Sequence, residues 1–134
     1  MAAEAKPRTH WETNWDALMQ VHSTGAQFGS ISTGEGTNST TVLRAVFPPH
    51  CTVSPHSHDI DYLEIILEGA QKVGRKWHRQ GDIRVVNRGT VYGPLVAGPD
   101  GATVLIVMNG TNVEARVPKH GAPLTLTINP PPAK

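Results

Sequence analysis

Two histidines separated by one residue are the side chains of this sequence whose type and spacing best suit chemistry. His56 and His58 flank Ser57 in the segment 55–69, which reads PHSHDIDYLEIILEG. On a β-strand, side chains two positions apart lie on the same face, so both imidazoles could reach a single metal ion. Two imidazoles alone would bind a divalent ion weakly, and a stable site needs one or two more protein ligands. The alternative is that two exposed histidines flank a serine in a loop.

The residues around this pair resemble the first motif of the cupin superfamily. That motif runs from a glycine through His-x-His and a metal-binding glutamate to a closing glycine. His56 and His58 match the two histidines, and Gly69 matches the closing glycine. His50 stands at the position of the first glycine. The layout of the segment is therefore similar to that of a cupin strand pair.

Two positions depart from the metal-binding pattern of cupins. Tyr62 stands where most cupins have the glutamate, and Glu64 lies two residues further along. Residues 81–94, GDIRVVNRGTVYGP, resemble the second cupin motif. There Gly89 matches a motif glycine, whereas Tyr92 stands where the last metal-binding histidine would be. Both tyrosines of the chain thus fall at positions where the resemblance leads one to expect a metal ligand.

The resemblance extends over about residues 42 to 108 and implies an all-β fold, a double-stranded β-helix or jelly-roll barrel. It also implies a divalent transition metal, Fe, Mn, Ni or Zn, inside the barrel. Glu64 and His78 are the preferred further ligands. Glu64 would be a displaced carboxylate ligand, and His78 precedes Gly81 on the strand that faces the His pair in the cupin layout. Tyr62 and Tyr92 are weaker candidates, since a phenol ligates only when the metal lowers its pKa. Alternatively, His78 lies on the surface and the Tyr92 hydroxyl caps the barrel mouth.

Three kinds of function fit these residues. The first is a small metal-dependent enzyme, a lyase, isomerase or dioxygenase, that acts on a small organic acid, ketone or phenol. The second is a metal-free acid–base enzyme in which a histidine of the pair, oriented by a nearby carboxylate, works with a tyrosine on a ketone or carbohydrate. The third is a non-catalytic module that binds a small ligand. The candidate catalytic residues are Tyr62, Tyr92 and Glu64, and the carboxylates that could orient a histidine are Asp59, Asp61 and Glu64.

Short strands separated by turns must position these residues. The predicted strands are 26–33, 40–47, 62–68, 83–86, 91–96, 103–108 and 124–128, each bounded by Gly, Pro, Asn or Asp. Alternation along 62–68 places Tyr62, Glu64 and Ile66 on one face, and we expect that face to be the core; the opposite face, with Leu63 and Leu67, is the alternative. The spacing of Trp11, Trp15, Leu18 and Met19 predicts a short helix within 11–21. Residues 1–10 are expected to form a flexible arm, 11–129 one barrel domain, and 130–134 a Pro-rich tail.

Composition excludes several other functions. The chain has 134 residues, of which 38% are apolar and 17% charged, as in a globular domain. Its formal charge is +1, with no basic cluster, which excludes nucleic acid as a partner. A single cysteine and the absence of any apolar run of membrane length indicate a cytoplasmic protein without a membrane anchor. We expect a small-molecule substrate and a homodimer paired through exposed edge strands, with His10, His22 and His120 in solvent.

Overall fold

The computed structural model describes residues 10–116 and the strand 126–128. The predicted arm up to residue 9, the Pro-rich tail and His120 lie outside these residues. In the described part, one short helix, α1, accompanies eleven strands. Their bounds are α1 Trp15–Leu18, β1 Gln20–Val21, β2 Gln27–Ser32, β3 Thr41–Phe47, β4 Cys51–Val53, β5 Ser57–His58, β6 Tyr62–Val73, β7 Lys76–Arg79, β8 Ile83–Val86, β9 Leu95–Met108, β10 Ala115–Arg116 and β11 Leu126–Ile128.

The strands form a jelly-roll β-barrel, which confirms the predicted all-β fold with a short N-terminal helical segment. The main sheet has the order β1-β2-β3-β9-β4-β11, and β6 pairs with β7, β8 and β9. A second, two-stranded sheet joins β5 to β10. Every strand pair described is antiparallel. The long strand β9 therefore pairs with β3, β4 and β6, and β6 pairs with β7 and β8. The strands β1, β2 and β11 join the sheet through β3 and β4.

The predicted break between strands 91–96 and 103–108 is wrong, because β9 runs without interruption from Leu95 to Met108. β6 is also longer than predicted and follows β9 along its whole length, with bulges at 66/68 and 69/71. At the second bulge Gly69 has a φ of +73°, and a Cβ there would lie 2.2 Å from the carbonyl oxygen of Gly101. The glycine, proline and aspartate residues at 98–101, which predict a turn, thus lie within β9 and do not end it.

The inward face of β6 is the predicted one. Tyr62, Glu64 and Ile66 are buried, whereas Leu63 and Leu67 are each 37% exposed. The alternative, with the leucine face in the core, is wrong. The hydrophobic core on this inner side includes Phe47, Val104 and Met108. A buried tyrosine and a buried glutamate therefore project into the barrel from the same strand.

The N-terminal helix is much shorter than the apolar spacing predicts. α1 contains four residues, none of them buried, and it begins where the Asn14 side chain accepts a hydrogen bond from Ala17 N–H. Met19 has extended backbone angles, and the chain then enters β1, which pairs with β2. Pairing with the sheet thus replaces a second helical turn. No helix in the described residues is long and apolar enough to cross a membrane.

Candidate active site

An isolated antiparallel bridge brings His56 next to Tyr92. The backbone N–H of each residue donates to the carbonyl of the other over 3.1 Å. Their side-chain rings lie 5.0 Å apart between centroids, and Tyr92 Oη is 3.3 Å from His56 Nε2. Two loop residues that are 36 positions apart in the chain are therefore held side by side at one end of the barrel interior.

Backbone carbonyls fix the orientation of both histidines. His56 Nδ1 donates to the carbonyl of Ser54 over 2.9 Å, and His58 Nδ1 donates to the carbonyl of Glu114 over 3.2 Å. In the neutral imidazoles this leaves Nε2 as the acceptor nitrogen. The rings of His56 and His58 lie edge to face, 5.1 Å apart. The pair thus lies together, as the spacing predicts.

The prediction that Asp59 or Asp61 orients a histidine is wrong. Asp59 forms an ion pair with Arg116, and Asp61 accepts a hydrogen bond of 2.7 Å from the backbone N–H of Arg88. This hydrogen bond lowers the pKa of Asp61. Both carboxylates therefore hold neighbouring loops and leave the imidazoles to backbone acceptors.

A chain of hydrogen bonds links the two tyrosines to Glu64. Tyr62 Oη donates to Tyr92 Oη over 2.6 Å, and Tyr92 Oη donates to Glu64 Oε2 over 2.9 Å. The other carboxylate oxygen, Oε1, accepts from Arg84 at 2.5 Å. The guanidinium carbon of Arg84 also lies 4.5 Å from the centre of the Tyr92 ring. Both oxygens of the 3% exposed Glu64 are thus engaged, and its charge is paired.

The Tyr92 hydroxyl can accept one more hydrogen bond. A hydroxyl has one hydrogen and two lone pairs. Tyr92 gives its hydrogen to Glu64 and accepts one from Tyr62, so its second lone pair is the one available to His56 Nε2. A proton arriving on Nε2 would complete this set of hydrogen bonds. A hydrogen bond from Nε2–H of His56 to Tyr92 Oη is therefore compatible with the two other hydrogen bonds of this hydroxyl.

Burial keeps the phenols protonated. It raises the pKa of Tyr92 far above its usual range, and the adjacent Glu64 carboxylate acts in the same direction. Burial likewise raises the pKa of Tyr62. Burial lowers the pKa of His58, and the neighbouring His56 lowers it further. The tyrosines are therefore hydrogen-bond donors at neutral pH, which disfavours either phenol as a metal-ligating phenolate.

The site opens into a cavity of about 260 Å³ inside the barrel. At about 30 Å³ for each water molecule of the liquid, this volume suits a small organic molecule. Aliphatic and aromatic side chains form most of the wall, and the connected polar groups of His56, Tyr92 and Glu64 converge at one part of it. The polar lining residues are His56, His58, Glu64, Gln71 and Tyr92.

His78 does not line this cavity. It lies on β7, opposite Gln71 on β6, and is partly exposed. Burial lowers its pKa, and the charge of Arg84 acts in the same direction. The structure thus gives no support to His78 as a metal ligand beside the His pair. His10 and His22 are exposed, as expected.

The donor set fits a metal ion only in part. His56 and His58 offer two correctly oriented imidazoles, but the described residues contain no group of three or more His, Cys, Asp or Glu side chains placed to hold an ion. Glu64, the expected carboxylate ligand, is engaged by Arg84 and Tyr92. The predicted ligands Glu64 and Tyr62 therefore reach a metal only after these bonds rearrange.

Arg84 is the site residue that sequence reasoning missed. It lies directly opposite Glu64 in the β6–β8 pairing. The strand 83–86 was predictable from its apolar residues, but which strand it pairs with, and in what register, depends on contacts distant in sequence. The only local signal is a charged residue alternating with Ile83 and Val85.

Solved cupin structures share this architecture. An RmlC-like cupin from Shewanella frigidimarina superposes with a TM-score of 0.66 at 14% identity, over 79% of this chain and 95% of that one. KdgF from a Halomonas species gives a TM-score of 0.60 at 17% identity, over 78% and 97%. A tryptophan-to-phenylalanine variant of Bacillus subtilis oxalate decarboxylase gives 0.67 at 14% identity, over 83% of this chain but only 32% of the decarboxylase.

These likenesses, together with the strand order, show that the chain has the cupin fold. No protein-family model and no curated protein sequence matches it. The motif resemblance is thus confirmed at the level of the fold. At such low identities the chemistry has to be argued from the residues of this chain.

Proposed function

We propose that the protein is a small cupin enzyme that transfers protons on a small ketone, phenol or organic acid bound in the barrel cavity. The observation that supports this most is the hydrogen-bonded series Tyr62, Tyr92 and Glu64, whose middle member, Tyr92, lies beside His56 Nε2. A purely apolar interior would favour the non-catalytic binding module. Polar groups converging on one point of an apolar cavity instead favour catalysis.

His56 is the proposed general base. Its Nδ1–H is held by the carbonyl of Ser54, so Nε2 carries the free lone pair. In the proposed step a proton leaves the carbon next to a substrate carbonyl and binds Nε2, and the C–H electron pair moves to the carbonyl oxygen as an enolate. Because Nε2 lies 3.3 Å from Tyr92 Oη, the new Nε2–H can donate a hydrogen bond to this hydroxyl.

Tyr92 is the proposed partner on the substrate oxygen. It remains a neutral phenol because burial raises its pKa, so it can donate a hydrogen bond to the enolate in place of Glu64. Tyr62 and Arg84 hold Tyr92 in position. Tyr62 Oη donates a hydrogen bond of 2.6 Å to its hydroxyl, and the guanidinium carbon of Arg84 lies 4.5 Å from the centre of its ring. Return of the proton to another carbon gives isomerisation, and loss of a β-substituent gives elimination.

Solvent isotope exchange tests this proposal. In deuterated buffer, NMR would follow deuterium entering the carbon next to the carbonyl of small ketones. Wild-type protein should accelerate exchange, and His56→Gln should lose roughly 100-fold or more of the rate. Asp59→Asn, which alters a nearby ion pair outside the cavity, is the matched control. Acceleration that survives in His56→Gln would contradict the proposal.

A second candidate function is metal-dependent chemistry with Fe, Mn, Ni or Zn on His56 and His58. Its support is that both Nδ1 atoms bind backbone carbonyls, the arrangement that usually orients metal-ligating histidines. The oxalate decarboxylase of B. subtilis, a structural neighbour, has Mn(II) centres. A bound ion would act as a Lewis acid on a substrate oxygen.

Chelation separates the two candidates. Exchange activity that survives exhaustive chelation favours the His56–Tyr92 mechanism. Activity that is lost and then restored by one metal favours the metal-dependent alternative. Isothermal titration of Zn²⁺ into wild type and into His58→Asn provides a readout that does not depend on activity, since only a site that uses His58 would weaken in the variant.

A further inference from the structure

One buried polar atom in the cavity wall has no hydrogen-bond partner among the described residues. Gln71 is 2% exposed, and its Oε1 makes no hydrogen bond with any part of the chain that the structure describes. Buried polar groups in proteins are nearly always hydrogen-bonded, so an orphaned amide in a cavity wall indicates a group that is supplied from outside. Gln71 also plays no part in the proton-transfer network.

Gln71 and the His56–Tyr92 pair lie on different parts of the same wall. Gln71 is level with Ala97 in the β6–β9 pairing, whereas Glu64, seven residues earlier on β6, is level with Ile106. The bulges between them bend β6 so that both side chains line one cavity. The wall between the two polar positions includes Val104, which is level with Ile66, between Glu64 and Gln71 on β6. The cavity therefore offers two polar contacts separated by an apolar surface.

The described lining of the cavity contains no permanently charged cation to pair with an anionic ligand. Among the described residues that line it, none is Lys or Arg. Glu64 is the charged side chain of the lining, and Arg84 already neutralises it at 2.5 Å. With both imidazoles neutral, as the resting state of the proposed base requires, a ligand carboxylate would be buried without a cationic partner, which is strongly unfavourable. The amide of Gln71, in contrast, can accept from a hydroxyl or, after rotating, donate to a carbonyl.

We infer that the ligand of this cavity is an uncharged molecule with two polar ends. A carbonyl or hydroxyl lies at His56 and Tyr92, an apolar body fills the middle, and a second neutral hydrogen-bonding group contacts Gln71. The inference rests on the proposed function only in placing the reacting group at His56 and Tyr92. It narrows the substrate class to hydroxyketones, diketones or substituted phenols, and excludes ionised organic acids.

Three ketones that differ in one substituent test the inference by isothermal titration at neutral pH. They are the acetophenones that carry a methyl, a hydroxyl or a carboxylate group para to the ketone. We expect the hydroxyl compound to bind at least about fivefold more tightly than the methyl compound, which corresponds to one net hydrogen bond. The carboxylate compound should bind at least about tenfold more weakly than the hydroxyl compound, because its charge stays unpaired. Equal or tighter binding of the carboxylate, or no binding of any probe up to its solubility, would overturn the inference.

The variant Gln71→Leu assigns the effect to this residue. It should abolish the preference for hydroxyl over methyl while the methyl compound binds as before, and its melting temperature should not fall, because an unsatisfied amide is removed. Gln27→Leu, the same exchange at an exposed position on β2, is the matched control and should keep the preference. A preference that persists in Gln71→Leu would contradict the assignment.

Binding and turnover separate this inference from the proposed function. If the Gln71-dependent preference is found but no probe exchanges deuterium, the ligand class stands and the proton-transfer proposal fails. If exchange occurs but the preference is absent or independent of Gln71, the proposed function stands and the inference fails.

Discussion

His56 and Tyr92 exchange two backbone hydrogen bonds of 3.1 Å, and this bridge sets Nε2 and Oη 3.3 Å apart. The backbone pairing fixes both Cα positions, and the hydrogen bonds of His56 Nδ1 to Ser54 and of Tyr92 Oη to Glu64 hold the two rings. The bases and hydrogen-bond donors of an enzyme gain from such rigidity, since the distance between them need not be reset at each turnover. Changes to either side chain should therefore be visible in rate without a change in fold.

Tyr92→Phe should separate catalysis from stability. It removes the hydroxyl that donates to Glu64, so the rate of deuterium exchange should fall roughly 100-fold. Stability should fall by about 1 to 3 kcal/mol, because a buried carboxylate oxygen loses its donor. Tyr62→Phe leaves the bond between Tyr92 and Glu64 in place, and it should lose less in rate. Equal rates for wild type and Tyr92→Phe would remove Tyr92 from the mechanism.

The Glu64–Arg84 pair should respond as a buried ion pair. Arg84→Met leaves the carboxylate of Glu64 with Tyr92 alone, and we expect a loss of about 3 kcal/mol in the free energy of unfolding. Adding Glu64→Gln removes the unpaired charge and should recover a large part of that loss. Urea denaturation of the four members of this double-mutant cycle measures the coupling. Additive effects of the two substitutions would show that the pair is not coupled.

Alkaline pH should destabilise the fold, and in two steps. Burial raises the pKa of Cys51, Tyr62 and Tyr92, so the folded state keeps protons that the unfolded state releases. Their contribution to stability is complete below the unfolded pKa values, about 8.5 for Cys and about 10 for Tyr, and is lost as the pH rises above them. Cys51→Ala should flatten the pH dependence of the melting temperature between about 8.5 and 10. An unchanged slope in this variant would contradict the assignment to Cys51.

The local pattern of the sequence is enough to predict which residues of β6 share a face and that the two histidines lie together. Alternation places Tyr62, Glu64 and Ile66 on one face, but it is the position of this strand in the resembled motif, and not its hydrophobicity, that favours this face as the inward one. The glycine-like position of His50 is also real, since its φ of +64° lies in the left-handed region that the glycine of the motif would occupy. These features depend on residues close together in the chain.

The partners of Glu64 and the bridge between His56 and Tyr92 were not predictable from the sequence. Each joins segments 20 or more positions apart, and a strand register shifted by one residue would turn Arg84 outward. The short strands β4, β5 and β10 have only two or three residues, too few to show alternation. The groups that orient the histidines were not predictable for a related reason. Every residue has a backbone carbonyl, so the sequence does not show which carbonyls accept from the imidazoles.

Gly69→Ala should be far more damaging than Gly74→Ala, although both glycines have a positive φ. The new Cβ would lie 2.2 Å from the carbonyl oxygen of Gly101, a contact that requires β6 and β9 to separate. We expect a loss of about 3 kcal/mol, from overpacking and from the backbone conformation together. Gly74→Ala is the matched control, because it has a φ of +60° and no atom within 4 Å of the added Cβ. Similar losses in chemical denaturation would show that the close approach at Gly69 is unimportant.

The expected homodimer can now be tied to a particular surface. Ile83 and Val85 on β8 are 61% and 70% exposed, and in the β6–β8 pairing they lie beside Ile65 and Leu63 on the outer face. Monomeric proteins seldom expose a contiguous apolar patch of this kind, and two copies related by a two-fold axis would cover it with itself. Light scattering should therefore give the mass of a dimer for wild type and of a monomer for Val85→Lys. Lys72→Glu, a charge change elsewhere on β6, should remain dimeric, and a monomeric wild-type protein would contradict the prediction.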